Sequence, residues 1–153
     1  MPDSPYTNDL EGVPPGSFLI RRINPKFCDW HELDGEGHPR ITRQAVQFHR
    51  DAEAERLGRP GPDMSFVLQT SEEELEELGK RYPGYGLARI STDWIRVEGA
   101  LGAQLWPTDE EASHVVVFRI DGASRLSGTQ AKRLAEGLGE GWLVSPAPPQ
   151  GAA

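Results

Sequence analysis

The spacing of hydrophobic and polar residues predicts short strands alternating irregularly with short helices. The densest apolar run, residues 114–120, is rich in β-branched and aromatic residues and has polar, turn-forming segments on both sides. Such a run is typical of a strand buried on both faces. Other apolar runs predict strands at 17–23, 64–68 and 85–90, a weak extended segment at 103–106, and a final strand or packed end at 142–144.

Two segments carry the signals of amphipathic helices. A capping-box pattern at Ser71 and Glu74 precedes leucines at helical spacing, and Pro83 ends the segment. A second such pattern at Ser127 and Gln130 precedes the last predicted helix.

Three further segments have weaker patterns. Residues 27–40 are rich in glycine, aspartate and histidine and predict a loop. Residues 41–50, with Thr42 as N-cap, predict a short helix that residues 51–56 would extend. Residues 91–99 predict another short helix.

These elements predict a single α+β domain. We expect a mixed sheet of four or five strands, with short helices packed mainly on one face. A length of 153 residues fits one hydrophobic core. Proline and glycine enrich both ends, so residues 1–16 are interpreted as a flexible leader, 17–144 as the domain and 145–153 as a disordered Pro/Ala-rich tail.

Composition limits the compartment and the partners. The chain has no apolar run of transmembrane length, no signal-peptide pattern at its first residues, and a single cysteine, Cys28. A cytoplasmic protein is therefore predicted. The net charge of −8 disfavours nonspecific binding to nucleic acid or to anionic membranes, because binding to phosphate needs clustered cations.

Five residues are candidates for a binding or catalytic site. His114 begins the most apolar strand, and histidine titrates near neutral pH, so it can serve as a general base or a phosphate contact. Arg21 and Arg22 are adjacent on the first strand, where alternation directs one of them inward or toward an edge. Ser65 lies on the second strand. Each residue also has a structural interpretation, such as a local hydrogen bond or an ion pair.

The fifth candidate is Arg43, just after the predicted N-cap Thr42. The free N–H groups at a helix start can bind an anion, although simple capping is the more common role. The cluster of histidines and carboxylates between His31 and His38 matches no metal-ligand spacing and is interpreted as a solvated loop. No metal or cofactor is predicted.

Short motifs along the chain resemble a group of small bacterial proteins. Leu19 to Pro25 is similar to the Tyr-Arg-Arg-Ile-Asn-Pro type segment with which those proteins begin. The group has no established activity, so the resemblance implies one unit over residues 18–144 and no mechanism. Further similar segments follow in the same order at 42–45, 64–67, 72–74, 114–116 and 126–127.

Two functional hypotheses remain open. The first is a small acidic accessory protein that binds another protein, which the absence of a known catalytic motif favours. The alternative is a small enzyme or nucleotide-binding domain with an Arg/Ser/His cleft, for instance an NAD-using transferase, although no glutamate has the spacing that such a transferase needs. The two are discriminated by whether Arg21 or Arg22, Ser65 and His114 line one cavity.

Overall fold

The computed structural model describes residues 4–48, 56 and 58–148. The described residues form eight strands and two α-helices, with short 3-10 helices at Pro25–Phe27 and Arg43–Ala45 and a π-helix at Trp94–Glu98. The strands and α-helices are, in chain order, β1 (Phe18–Ile23), β2 (Cys28–Leu33), β3 (Pro39–Ile41), β4 (Met64–Leu68), α1 (Glu72–Arg81), β5 (Gly86–Ser91), β6 (Leu101–Leu105), β7 (His114–Arg119), α2 (Gly128–Gly139) and β8 (Trp142–Val144).

Six strands form one sheet in the order β6-β7-β4-β1-β5-β8, and every neighbouring pair is antiparallel. The fold therefore combines α and β structure, as predicted. The predictions of four or five strands and of a mixed sheet are wrong. The short runs that became β6 and β8 pair at the two edges, and their apolar patterns are too brief to show this in the sequence.

Alternate residues of the strands build two apolar layers. Leu19 and Ile23 of β1 join the main core with Leu134 and Leu138 of α2. The π-helix packs on this same face through Ile95. The next residue of β1, Ile20, faces the other way.

On that opposite face, Ile20 clusters with Leu78 of α1 and Leu87 of β5. The apolar stripe of α1 is therefore what closes this side of β1 and β5. Both α-helices begin at the predicted caps, because the hydroxyl oxygens of Ser71 and Ser127 accept the N–H groups of Glu74 and Gln130.

Two local predictions are wrong. Residues 27–40 are not a loop, because β2 and β3 form a separate two-stranded sheet. Asp34 Oδ1 accepts two main-chain N–H groups, and Gly37 has a φ of 87°, so the glycine-rich segment is the turn of a hairpin. Within residues 41–48 the helix predicted at 41–50 is reduced to the 3-10 turn Arg43–Ala45. Residues 49–55 lie outside the described residues, and Arg56, the last residue of the predicted extension over 51–56, is helical.

Part of the predicted leader, residues 1–16, packs on the domain. Tyr6 is buried and stacks on Phe118, and Val13 belongs to the main core. Asn8 Oδ1 accepts the main-chain N–H of Ala103 on the edge strand β6 at 3.3 Å. The leader thus supplies a hydrogen-bond acceptor to this edge.

The described start of the tail also contacts the domain. The main-chain N–H of Ala147 donates to Gly84 O at 3.0 Å, and Pro146 is buried. The rest of the predicted tail, residues 149–153, lies outside the described residues. No helix within the described part of the chain has both the length and the apolar character needed to cross a membrane.

Candidate functional site

His114 and Ser65 form a hydrogen-bonded pair between neighbouring strands. The Nε2 atom of His114 lies 3.0 Å from Ser65 Oγ, and its Nδ1 atom lies 2.8 Å from the carbonyl oxygen of Trp106. A carbonyl oxygen only accepts, so a neutral His114 carries its proton on Nδ1. The lone pair of Nε2 is then directed at the hydroxyl of Ser65, which donates to it.

The pair lies in a cavity of about 220 Å³ between the sheet and α1. Arg22 of β1 lines this cavity together with Ser65 and His114. Three of the sequence candidates thus converge at one place. The remaining lining residues come from the strands, from α1 and from the segment before β7: Ile20, Phe66, Val67, Leu78, Arg81, Tyr82, Thr108, Glu110 and Glu111.

Of the two arginines that line this cavity, Arg22 is the one whose charge is accessible to a ligand. Its guanidinium lies over the ring of Tyr82, 3.9 Å from the centroid, and it forms no salt bridge with any described residue. Stacking on an aromatic face leaves the edge N–H donors of the guanidinium open. Arg22 is therefore suited to bind an anion that enters the cavity.

The second arginine of the cavity, Arg81, is already paired. Its Nη2 atom lies 2.6 Å from Glu111 Oε2, and its Nη1 atom donates to the carbonyl oxygen of Glu110 at 2.9 Å. This ion pair fixes the segment before β7 against the C-terminal end of α1. It also offsets the charge of Glu111 next to the cavity.

Burial lowers the pKa of His114 below its ordinary value of 6.5, although the hydrogen bond to Trp106 opposes the shift. Its imidazole is therefore neutral at physiological pH. A neutral imidazole with a free lone pair on Nε2 can accept a proton from the Ser65 hydroxyl. The buried position of His114 thus favours a general base over a cationic contact.

Arg21 lies on the opposite face of the sheet and does not line the cavity. Its Nε and Nη2 atoms donate to Ala45 O at 3.1 and 3.0 Å, and its Nη1 atom donates to Ser65 O at 2.7 Å. Burial lowers the pKa of Arg21 to about 10. Arg21 therefore holds the main chain of Ser65 from behind.

Arg43 is also separate from the cavity. It lines two larger grooves, of about 1060 and 810 Å³, on either side of the 3-10 turn. The hydroxyl of Thr42 makes no capping hydrogen bond, and the turn has three residues. The predicted anion site at Thr42 and Arg43 is therefore not formed, because residues 43–45 make a 3-10 turn and residues 46–48, the last described before a gap, are not helical.

Trp106 and the partners of Asp63 were not found in the sequence, although Asp63 itself was expected near Ser65. Trp106 acts through its carbonyl oxygen, which no side-chain pattern reveals. A buried network also lies at the start of β4, where Asp63 Oδ2 accepts from Arg59 Nε at 2.8 Å and from the hydroxyl of Tyr6. Asp63 and Arg59 contribute opposing charge effects on His114.

The acidic and histidine residues of the β2–β3 hairpin serve its turn and its ion pairs. Arg40 pairs with Asp29 and Glu32 at 3.2 and 2.9 Å. Within residues 4–48, 56 and 58–148, no three histidine, cysteine or carboxylate side chains are grouped to hold a metal ion.

Comparisons of the chain with protein-family models, with curated proteins and with solved structures found no match. The resemblance based on Leu19 to Pro25 stays a prediction. The class of the protein is defined by its fold and cavity alone: a small α+β domain with an Arg/Ser/His cavity beside an antiparallel sheet.

Proposed function

We propose that the protein binds a small anionic molecule, such as a carboxylate or a phosphate ester, in the cavity between the sheet and α1. One observation carries this proposal: Arg22, Ser65 and His114 line the same cavity. A cation, a hydroxyl and an imidazole together are the groups that recognise oxyanions. The convergence favours the small-ligand hypothesis over the protein-binding hypothesis for this part of the molecule.

The charges around the cavity support an anion held by Arg22. The lining includes two arginines and two glutamates, but Arg81 and Glu111 neutralise each other. Glu110 is exposed, so solvent screens the charge of its carboxylate. Arg22 remains as the cation that can bind a ligand bidentately.

The volume limits the ligand. A cavity of about 220 Å³ is smaller than the roughly 300–1,000 Å³ typical of sites for drug-sized molecules. A compact acid or the phosphate end of a larger molecule fits this space. A complete dinucleotide does not, so an NAD-like ligand would place only one part here.

The test is a titration with sodium acetate and, separately, with inorganic phosphate, followed by ¹H–¹⁵N NMR of the whole chain. We expect saturable shifts at the amides of Ser65 and His114. Arg22→Gln should weaken the affinity at least about tenfold, as expected for the loss of a charge-assisted hydrogen bond. The matched control is Arg133→Gln, which removes an exposed arginine of α2 and should leave the affinity unchanged. Equal affinities in the two variants would contradict the proposal.

Protein binding is a second candidate, supported by a groove that is larger than the Arg/Ser/His cavity. This groove, of about 1060 Å³, lies between the β2–β3 hairpin and α2, and Leu33 at its edge is 55% exposed. An exposed leucine at the edge of a groove gives a bound peptide an apolar surface to pack against.

Paired variants test this second candidate. Leu33→Asp should abolish retention of a stoichiometric protein partner from the native host. Leu10→Asp, which alters a leucine that is 54% exposed outside the groove, should retain the partner. Retention by both variants would exclude the groove as the interface.

A further inference from the structure

We infer that the protein hydrolyses a short-chain carboxylic ester, with Ser65 as nucleophile, His114 as general base and Arg22 as the donor that stabilises the oxyanion. This inference rests on the proposed function, because the carboxylate product is the kind of anion that the cavity is proposed to bind. It goes further by assigning a reaction to the site.

The first support is the pair of hydrogen bonds that the imidazole of His114 makes, one from each ring nitrogen. Nucleophilic serines are activated when a base lies within hydrogen-bond distance and a third group orients that base. Here Ser65 Oγ is 3.0 Å from Nε2 of His114, and Trp106 O is 2.8 Å from Nδ1. The carbonyl of Trp106 occupies the position that a carboxylate has in a Ser-His-Asp triad.

The second support is the rigidity of Ser65. It lies within β4, next to the fully buried Phe66, and its main-chain carbonyl accepts from Arg21 at 2.7 Å on the opposite face. Its side chain faces the cavity. A reactive group on a strand, with both of its neighbours packed, is held more precisely than one on a loop.

The third support is a cation, Arg22, that lines the same cavity as Ser65 and His114. Attack on an ester carbonyl creates a negatively charged oxygen, and a preformed donor at that position lowers the barrier. Arg22 has no ion-pair partner among the described residues, whereas Arg81 is committed to Glu111. Arg22 is therefore the residue assigned to the oxyanion.

The reaction has two steps, transfer of the acyl group to Ser65 and hydrolysis of the acyl-enzyme. Ser65 Oγ forms a bond to the ester carbon as its proton moves to Nε2 of His114, and the carbonyl oxygen becomes the oxyanion. Collapse of this intermediate breaks the bond to the alcohol, which leaves with the proton from Nε2. Water then gives a proton to Nε2 and attacks the acyl group. Ser65 takes that proton back as the bond from Oγ to the acyl carbon breaks, and the carboxylic acid that is released gives its own proton to solvent.

The experiment treats the whole chain with phenylmethanesulfonyl fluoride and locates the adduct by peptide mass spectrometry. We expect a single sulfonyl adduct on Ser65, with fluoride as leaving group, and none in Ser65→Ala. In His114→Gln, with folding checked by circular dichroism, labelling should slow at least about 100-fold because the general base is lost. Labelling of a different residue, or an equal rate in His114→Gln, would overturn the inference.

A second measurement is the rate of ester hydrolysis in Arg22→Gln, a variant at an exposed position that should not affect folding. Hydrolysis of 4-nitrophenyl acetate should depend on Ser65, and Arg22→Gln should lower kcat by a factor of about 10²–10³, as for other lost oxyanion donors. An unchanged kcat in Arg22→Gln would overturn the assignment of Arg22.

The two levels of the proposal fail separately. If acetate binding depends on Arg22 but Ser65 is not labelled, the esterase inference is wrong and the binding proposal stands. If acetate does not bind, the binding proposal is wrong whatever the labelling shows.

Discussion

The Nε2 atom of His114 lies 3.0 Å from Ser65 Oγ, although the two residues are 49 positions apart in the chain. Their proximity follows from strand pairing, because Val67 of β4 is opposite His114 of β7, and Ser65 is two residues from Val67 on the same face. Side chains in such diagonal positions are within reach of each other. The register of β4 and β7 therefore determines whether the candidate site exists.

Stability should depend on pH through His114. Burial lowers its pKa in the folded state below 6.5, so the unfolded chain binds the proton more readily. Stability from the neutral imidazole is then fully present above about pH 6.5 and is lost as the pH falls toward the folded-state pKa. We expect the urea midpoint of the natural chain to be lower at pH 5 than at pH 7.5. The difference should be smaller in His114→Gln. An identical decrease in both proteins would contradict this.

Tyr6→Phe should destabilise the fold although it removes a single oxygen atom. The hydroxyl of Tyr6 donates to Asp63, whose side chain is fully buried in an ion pair with Arg59. Loss of a donor to a buried charged group costs about 1–3 kcal/mol. Urea denaturation measures the change, and Tyr85→Phe, at a position that is 36% exposed, is the control. A change below 0.5 kcal/mol in Tyr6→Phe would be too small for this role.

Two glycine variants should have opposite effects. In Gly102→Ala the new Cβ would lie 2.5 Å from ring atoms of the buried Phe118, so the core must shift, at a cost of about 1–3 kcal/mol. In Gly79→Ala the new Cβ meets no atom within 4 Å, and Gly79 lies within α1. Alanine is there the better helix former by about 1 kcal/mol. Thermal unfolding distinguishes the two, and a lower Tm for Gly79→Ala would be unexpected.

Cys28 should be chemically inert in the folded protein. Burial raises the pKa of its thiol to about 11, so the reactive thiolate is scarce at neutral pH. We expect slow alkylation by iodoacetamide at pH 7.5, and a much faster reaction in urea. Cys28→Ser should retain ligand binding and stability, and loss of binding in this variant would assign the thiol a role that its surroundings do not indicate.

The sequence predicts the strongly patterned elements well. The bounds of β4 and the buried strand at 114–119 agree with the apolar runs, because such runs leave few alternatives for burial. The N-caps of both α-helices are confirmed for a similar reason, since a serine at that position satisfies free N–H groups locally.

The features that depend on distant contacts were not predictable in the same way. The hairpin of β2 and β3 is half exposed and has few apolar residues, so its residues look like a loop. Whether Arg21 or Arg22 lines the cavity depends on the position of α1, which covers one face of β1. The role of Trp106 depends on a main-chain atom. All three require the strand register, which a single sequence does not provide.

The contact between Asn8 and Ala103 has a consequence for how molecules of this protein meet one another. β6 is the last strand on its side of the sheet, and strands at such positions tend to pair with strands of other molecules. Asn8 occupies one main-chain donor of that strand, and the side chain of Gln104 accepts the N–H of Thr7 at 2.8 Å. The segment that contains Thr7 and Asn8 thus covers part of the exposed edge of β6 and hinders edge-to-edge pairing. Proteolytic removal of this segment would favour self-association at high concentration.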